Sequence, residues 1–102
     1  MTNYVWAEWM CLRCEALHRM KFQIRIGFSN AKKVKGILPF KGLYIEDHVA
    51  IPKGTKSATR HGSRIYVKMS TTTQEIIEAI REFMQAHYAI REDSLTLEIC
   101  RE

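Results

Sequence analysis

The sequence lacks the long apolar run that a membrane-spanning helix requires. No stretch of its 102 residues approaches the ~18 consecutive apolar residues of such a helix. Glu8 and Arg13 interrupt the most apolar stretch near the N-terminus, and no small-residue cleavage site follows, so a signal peptide is not predicted. We therefore expect an intracellular, cytoplasmic protein that makes no membrane contact.

Cysteine and aspartate are both scarce, and the scarcity excludes some chemistry. The three cysteines are an odd number, which fits reduced thiols better than a disulfide framework. The two aspartates, Asp47 and Asp93, both lie in predicted turns. The sequence HGSR around Ser63 is not the G-x-S-x-G pattern of a nucleophilic serine. We therefore predict a protein that is not an enzyme and carries no cofactor.

One group of side chains has the spacing of metal ligands. Cys11, Cys14 and His18 would share one face of a helix. A structural zinc site needs four ligands, and the sequence contains no second C-x-x-C or H-x3-H pair. Buried thiols on a packed surface account for the same residues. No metal site is predicted, and zinc binding by these three residues stays open.

Positive charge is unevenly distributed along the chain. The formal charge at pH 7 is +5. Residues 1–45 contain eight lysines and arginines against two acids, residues 46–70 five against two, and residues 71–102 three against seven. The basic first two-thirds can attract nucleic acid or an acidic protein partner, although such charge also serves solubility alone.

The second half of the sequence predicts a strand, a helix and another strand. Residues 65–69 alternate in polarity, as a half-buried strand does. The sequence TTTQE at 71–75 contains a capping-box pattern. Apolar residues then recur at intervals of three and four, namely Ile76, Ile77, Ile80, Phe83, Met84 and Tyr88. We predict a helix at about 72–88, followed by a turn and a strand at 95–99.

The first half repeats this pattern in weaker form. The sequence YIEDHVAIP at 44–52 is similar to YAIREDSLTLEI at 88–99. Residues 22–28 alternate as a strand, a short helix would follow from Ser29 to Leu38, and residues 49–51 would form the next strand. Chance similarity between short alternating segments is the other explanation.

Taken together, these elements predict an α+β fold of two β-α-β units in series. This is the ferredoxin-like order β-α-β-β-α-β, and the whole chain 1–102 would form a single domain. The expected divisions are an N-terminal helical extension (1–20), the first unit (21–52), a flexible basic loop (53–63) and the second unit (64–102). Tyr4, Trp6, Glu8 and Met10 also fit a strand, so the helix at the N-terminus is the weakest of these predictions.

The favoured function is a small binding module for single-stranded nucleic acid, either RNA or DNA. Strands 21–28 and 64–69 would lie side by side, with one face of the sheet basic. A ring on such a face can stack on bases while cations contact phosphates. Tyr66 would be the stacking ring, and the phosphate contacts would be Arg25, Lys53, Lys56, Arg60, Arg64 and Lys68.

This arrangement resembles the RNA-recognition motif in topology and charge only. That family carries aromatic-rich signatures on its two central strands, and FQIRIGF and SRIYVKMS do not match them. The alternative is a protein–protein interaction module that receives a peptide or a second subunit at a sheet edge near Trp6 and Trp9. Under this alternative we expect a small accessory protein of a phage or an archaeal virus, an expectation that no motif carries.

Overall fold

The computed structural model describes residues 3–13, 15–28, 31, 37–46 and 60–101, and they form one mixed β-sheet with a helix on one face. The elements are β1 (Asn3–Met10), β2 (Leu17–Ile26), β3 (Ile37–Phe40), β4 (Leu43–Glu46), β5 (Arg60–Val67), α1 (Thr73–His87) and β6 (Thr96–Arg101).

Six strands of the described residues make up the sheet, in the order β3-β4-β5-β2-β1-β6. The two central strands, β2 and β5, are parallel, and every other neighbouring pair is antiparallel. The two-residue turn between β3 and β4 has positive φ at Lys41 (49°) and Gly42 (80°). This backbone is typical of tight hairpins, because it matches the twist of the strands.

The helix α1 begins where the sequence predicts it, and its apolar stripe forms one side of the core. Thr72 accepts from the Glu75 amide (3.2 Å), and the Glu75 carboxylate accepts in return from the Thr72 amide (3.2 Å), which completes a capping box. The buried face of α1 consists of Ile76, Ala79, Ile80, Phe83 and Met84. Within the described residues, no helix has the length and apolar character that crossing a membrane needs.

The core lies between α1 and one face of the sheet. In β1, β2 and β5, every second side chain points into it, including Val5, Phe22 and Ile65. These three residues lie on neighbouring strands: Val5 is opposite Phe22, and Ile65 is opposite Ile24 in β2. Burial of such side chains is the main source of stability in a domain of this size.

The predicted fold class is wrong. The described residues contain one helix instead of two, and they do not form two β-α-β units with an N-terminal helical extension. The strands β5 and β6 and the helix α1 between them do follow the predicted order. The first unit differs because Ile37 and Leu38, assigned to its helix, are the first residues of strand β3. The strand that follows is Leu43–Glu46, whereas residues 49–51 lie outside the described residues.

The N-terminal segment is a strand and not a helix. Residues of β1 pair with β2 on one side, as in Ala7 opposite Met20, and with β6 on the other, as in Ala7 opposite Leu97. In this position the backbone groups of β1 form hydrogen bonds with strands on both sides. A helix would instead form its backbone hydrogen bonds within itself. The period-2 pattern of Tyr4, Trp6, Glu8 and Met10 was therefore the relevant signal.

The last four residues of the predicted basic loop 53–63 form part of a strand. Residues 60–63 belong to β5, and the backbone of Arg60 is opposite that of Arg19. The remainder of that loop, with Lys53 and Lys56, lies outside the described residues.

Candidate nucleic-acid interface

The face of the sheet that points away from α1, here called the outer face, carries the candidate site. Side chains alternate across a strand, so the neighbours of the core residues point to this face. Within the described residues, α1 is the only helix, and it packs against the opposite side. On β1 and β2 the outer face consists of Tyr4, Trp6, Glu8, Met10, Leu17, Arg19, Lys21, Gln23 and Arg25.

A group of aromatic and basic side chains lies at the middle of the outer face. We call it the aromatic–basic patch: Tyr4, Trp6, Arg19, Lys21 and Arg25. Trp6 on β1 is directly opposite Lys21 on β2, and Tyr4 is opposite Gln23. Arg25 is the next residue of β2 after Gln23 on the same face. Both rings are partly exposed, and Arg25 is exposed. The antiparallel pairing of β1 and β2 thus brings two rings beside a row of cations.

Polar contacts hold Trp6 in position. Its indole Nε1 donates a hydrogen bond to Oε1 of Glu8 (3.0 Å). The same carboxylate oxygen lies 3.3 Å from Nε of Arg19 on the neighbouring strand. Glu8 therefore fixes the edge of the indole ring and offsets one of the positive charges of the patch.

Tyr4 interacts with both of its neighbouring strands. The Nζ of Lys21 lies 4.4 Å from the centroid of the Tyr4 ring, a cation–π distance. On the other side, a hydrogen bond with the Cys100 side chain, together with desolvation and the charges of Cys100 and Glu98, raises the pKa of the Tyr4 phenol. The ring is therefore neutral throughout the physiological pH range.

The two central strands bring the predicted residues Arg25, Arg64 and Tyr66 together on the outer face. Arg25 is opposite Tyr66, and Gln23 is opposite Arg64. Arg25 Nη2 donates a weak hydrogen bond to Oε1 of Gln23 (3.4 Å), whereas Arg64 Nε lies 3.7 Å from Oε2 of Glu46. Of these two arginines, Arg25 therefore has an amide as its described partner, whereas Arg64 has a carboxylate.

Tyr66, the predicted stacking ring, is buried. Only 4% of its surface is exposed, so its ring is not open to a base in this conformation. Its β4 neighbour is Tyr44, whose ring in turn meets the ring of Phe28 edge-on, with centroids 4.9 Å apart. Tyr4 and Trp6 replace Tyr66 as the candidates for stacking.

The remaining predicted phosphate contacts are dispersed or undescribed. Lys68 is exposed just after β5, and its Nζ lies 6.0 Å from the Phe28 ring centroid. Arg60 is the first residue of β5. Lys53 and Lys56 lie outside the described residues.

The two tryptophans of the predicted protein-binding site lie on opposite faces of the sheet. Trp6 is on the outer face, whereas Trp9 is in the core with 5% of its surface exposed. The Trp9 ring is stacked with His18 and with Tyr88, at centroid distances of 5.5 and 5.7 Å. Trp9 is therefore a structural residue in this conformation, and it does not form one surface with Trp6.

The spacing of Cys11, Cys14 and His18 does not correspond to a helical face, because Cys11 follows β1 and His18 lies in β2. Cys14 lies outside the described residues. Within the part of the chain that the structure describes, no three His, Cys, Asp or Glu side chains form a group that could hold a metal ion.

No family model, curated protein or solved structure matches this chain. Any function must therefore be inferred from the outer face and the edges of the sheet.

Sequence reasoning placed Arg25, Arg64 and Lys68 near one another but did not include Tyr4, Arg19 or Lys21 in the site. The signal that could have found them is the alternation in β1, which places Tyr4 and Trp6 on one face if the segment is a strand. The acids of the outer face, namely Glu8, Glu46 and Glu98, were also omitted, and they make the face less basic than expected.

Proposed function

We propose that this protein binds single-stranded nucleic acid, RNA or DNA, through the aromatic–basic patch. The observation that carries the proposal is the position of Tyr4 and Trp6, which are partly exposed on the outer face beside Arg19, Lys21 and Arg25. Aromatic rings that stack on bases, next to cations that contact phosphates, are the two parts of a sequence-tolerant single-strand site.

The geometry of the strands suits a flexible polymer. Side chains on one face of a strand recur about every 6.7 Å, twice the rise per residue of about 3.3 Å. Tyr4 and Trp6 are separated by one such step, as are Arg19 and Lys21. Two bases can therefore lie over β1 while the backbone that joins them follows the cations of β2.

Ion pairs on the outer face do not prevent phosphate binding. The pairs of Arg19 with Glu8 and of Arg64 with Glu46 involve partly exposed side chains. Such pairs contribute only about 0–1 kcal/mol each, so a phosphate can compete with the carboxylate. Arg25 requires no such exchange, since its described partner is the amide of Gln23.

A protein–protein interaction module is the second candidate, and one observation favours it. The strand β6 lies at an edge of the sheet, where a peptide or a subunit can add a further strand. For either function we propose an intracellular location, because three cysteines, an odd number, fit reduced thiols better than a disulfide framework.

The test is a titration of the protein into labelled single-stranded RNA and DNA, followed by fluorescence anisotropy at low and moderate salt. We expect binding that weakens steeply with salt, because phosphate contacts release counterions. Trp6→Ala should raise the Kd about 5- to 150-fold, which corresponds to ~1–3 kcal/mol for one stacked base.

Two matched controls separate the patch from general effects. Leu12→Ala removes an exposed apolar side chain outside the patch and should leave the Kd unchanged. Arg25→Gln should weaken binding, whereas Arg81→Gln, the same charge change on α1, should have little effect. Absence of binding at low salt, or equal losses for the patch and control variants, would contradict the proposal. Salt-insensitive capture of a protein would favour the second candidate.

A further inference from the structure

The two edges of the sheet differ in how well they are protected against pairing with another strand. The strand β3 is short and contains Pro39, which has no N–H to donate. The strand β6, at the other edge, has the sequence TLEICR, with neither proline nor lysine. Within the described residues, no strand pairs with its outer side. Unprotected edges of this kind bind further strands unless something blocks them.

Hydrogen bonds near the end of β1 show which groups of β6 point outward. The backbone of Cys11 bonds on the β2 side, to Ala16 O (3.0 Å) and from the Glu15 amide (3.1 Å). On the β6 side, Met10 O accepts from the Arg91 amide (2.8 Å). Because bonding direction alternates along a strand, the even-numbered residues of β1 bond to β6.

The register then assigns the outward groups of β6. The even-numbered residues of β1 are opposite Thr96, Glu98 and Cys100, so those three residues bond inward. The backbone N–H and C=O groups of the alternate residues, Leu97, Ile99 and Arg101, point away from the sheet. The side chains of Leu97 and Ile99 lie on the core face and are only partly buried, so an added strand would cover them further.

We infer that β6 pairs antiparallel with β6 of a second copy of this chain, centred on Ile99. In this register Ile99 is opposite its own counterpart, and Leu97 is opposite Arg101 of the other copy. All the outward backbone groups of these three residues are then used. Centring the pair on Glu98 would instead place two carboxylates directly opposite each other, which is unfavourable.

The pairing also affects nucleic-acid binding, a step that rests on the proposed function. A two-fold axis perpendicular to the sheet keeps both outer faces on the same side. The β1 strands of the two copies would lie about 14 Å apart, three strand spacings of about 4.8 Å. One single strand of nucleic acid could then contact both aromatic–basic patches, which raises its overall affinity without a new kind of contact.

The test measures oligomeric state by sedimentation velocity over a wide range of protein concentration, without nucleic acid. We expect the wild type to form a dimer as concentration rises. Ile99→Pro should remain monomeric, because it removes an outward N–H but no hydrogen bond to β1. Ile99→Ala loses similar apolar contact and keeps the N–H, so it should still form the dimer, although more weakly.

Circular dichroism establishes that each variant is folded. If Ile99→Pro fails to fold, Arg101→Pro and Arg101→Ala make the same comparison at the exposed end of the strand. A wild type that is monomeric at every concentration would overturn the inference, as would proline and alanine variants that dimerise equally well. Nucleic-acid binding by a monomer would leave the proposed function standing while this inference fails.

Discussion

At the scale of single residues, Trp6 and Trp9 show how position decides what a side chain does. They are three positions apart in one strand, so they point to opposite faces. We predict that Trp9→Ala lowers the free energy of unfolding by about 3–5 kcal/mol, because it leaves a cavity in the core between the rings of His18 and Tyr88.

Urea unfolding followed by circular dichroism measures this difference. Trp6→Ala is the matched control, and it should cost much less stability because the ring is partly exposed on the outer face. Equal losses for the two variants would mean that the outer face is covered. In that case the aromatic–basic patch could not be a binding surface.

At the scale of elements, α1 is the part of the chain whose structure is most local in origin. We predict that Thr72→Ala lowers the free energy of unfolding by about 0.5–2 kcal/mol, since it removes the acceptor for the Glu75 amide. Thr73→Ala, at the first residue of the helix, is the control. Thermal unfolding compares the two variants, and a loss as large for Thr73→Ala would exclude the capping box as the cause.

The strand elements were harder to predict than α1, for a physical reason. The stripe and cap of α1 lie within one segment, and the helix was predicted at 72–88 against the observed Thr73–His87. The identity of β1 depends on β2 and β6, which are distant in sequence. Similarly, Ile37 and Leu38 have helical spacing from Val34, yet pairing with β4 makes them a strand.

At the scale of the whole molecule, the sheet of the described residues has a protected centre and two edge strands, β3 and β6. The strands β2 and β5 each have a partner on both sides, and their core residues Phe22 and Ile65 are fully buried. We predict that amide hydrogen exchange is slowest in these two strands and fastest in β3, whose opening breaks only one pairing. Exchange measured by NMR checks this order.

The outer edge of β6 provides a second readout in the same experiment. Its outward amides, including that of Ile99, should exchange quickly in dilute protein and become protected as concentration rises. Exchange in β3 should not depend on concentration, because Pro39 protects that edge from pairing. Slow exchange in β3 and fast exchange in β2 would contradict the strand order.

The candidate site was partly predictable. The prediction that strands 21–28 and 64–69 lie side by side agrees with the pairing of β2 and β5, and so Arg25 and Arg64 do share a face. The partners of these cations were not predictable, because Glu46 and Glu8 reach them from other strands. The burial of Tyr66 was likewise invisible in a local pattern.

The sequence alone determined the features that arise within a few residues: the helix α1 with its cap, the alternation of its strands, and the excess of positive charge in the first two-thirds of the chain. Tertiary structure alone decided where β1 goes. By inserting between β2 and β6, that strand places Tyr4 and Trp6 beside the cations of β2 and leaves β6 at the edge. Long-range pairing made this choice, because strands acquire their hydrogen bonds only from other strands.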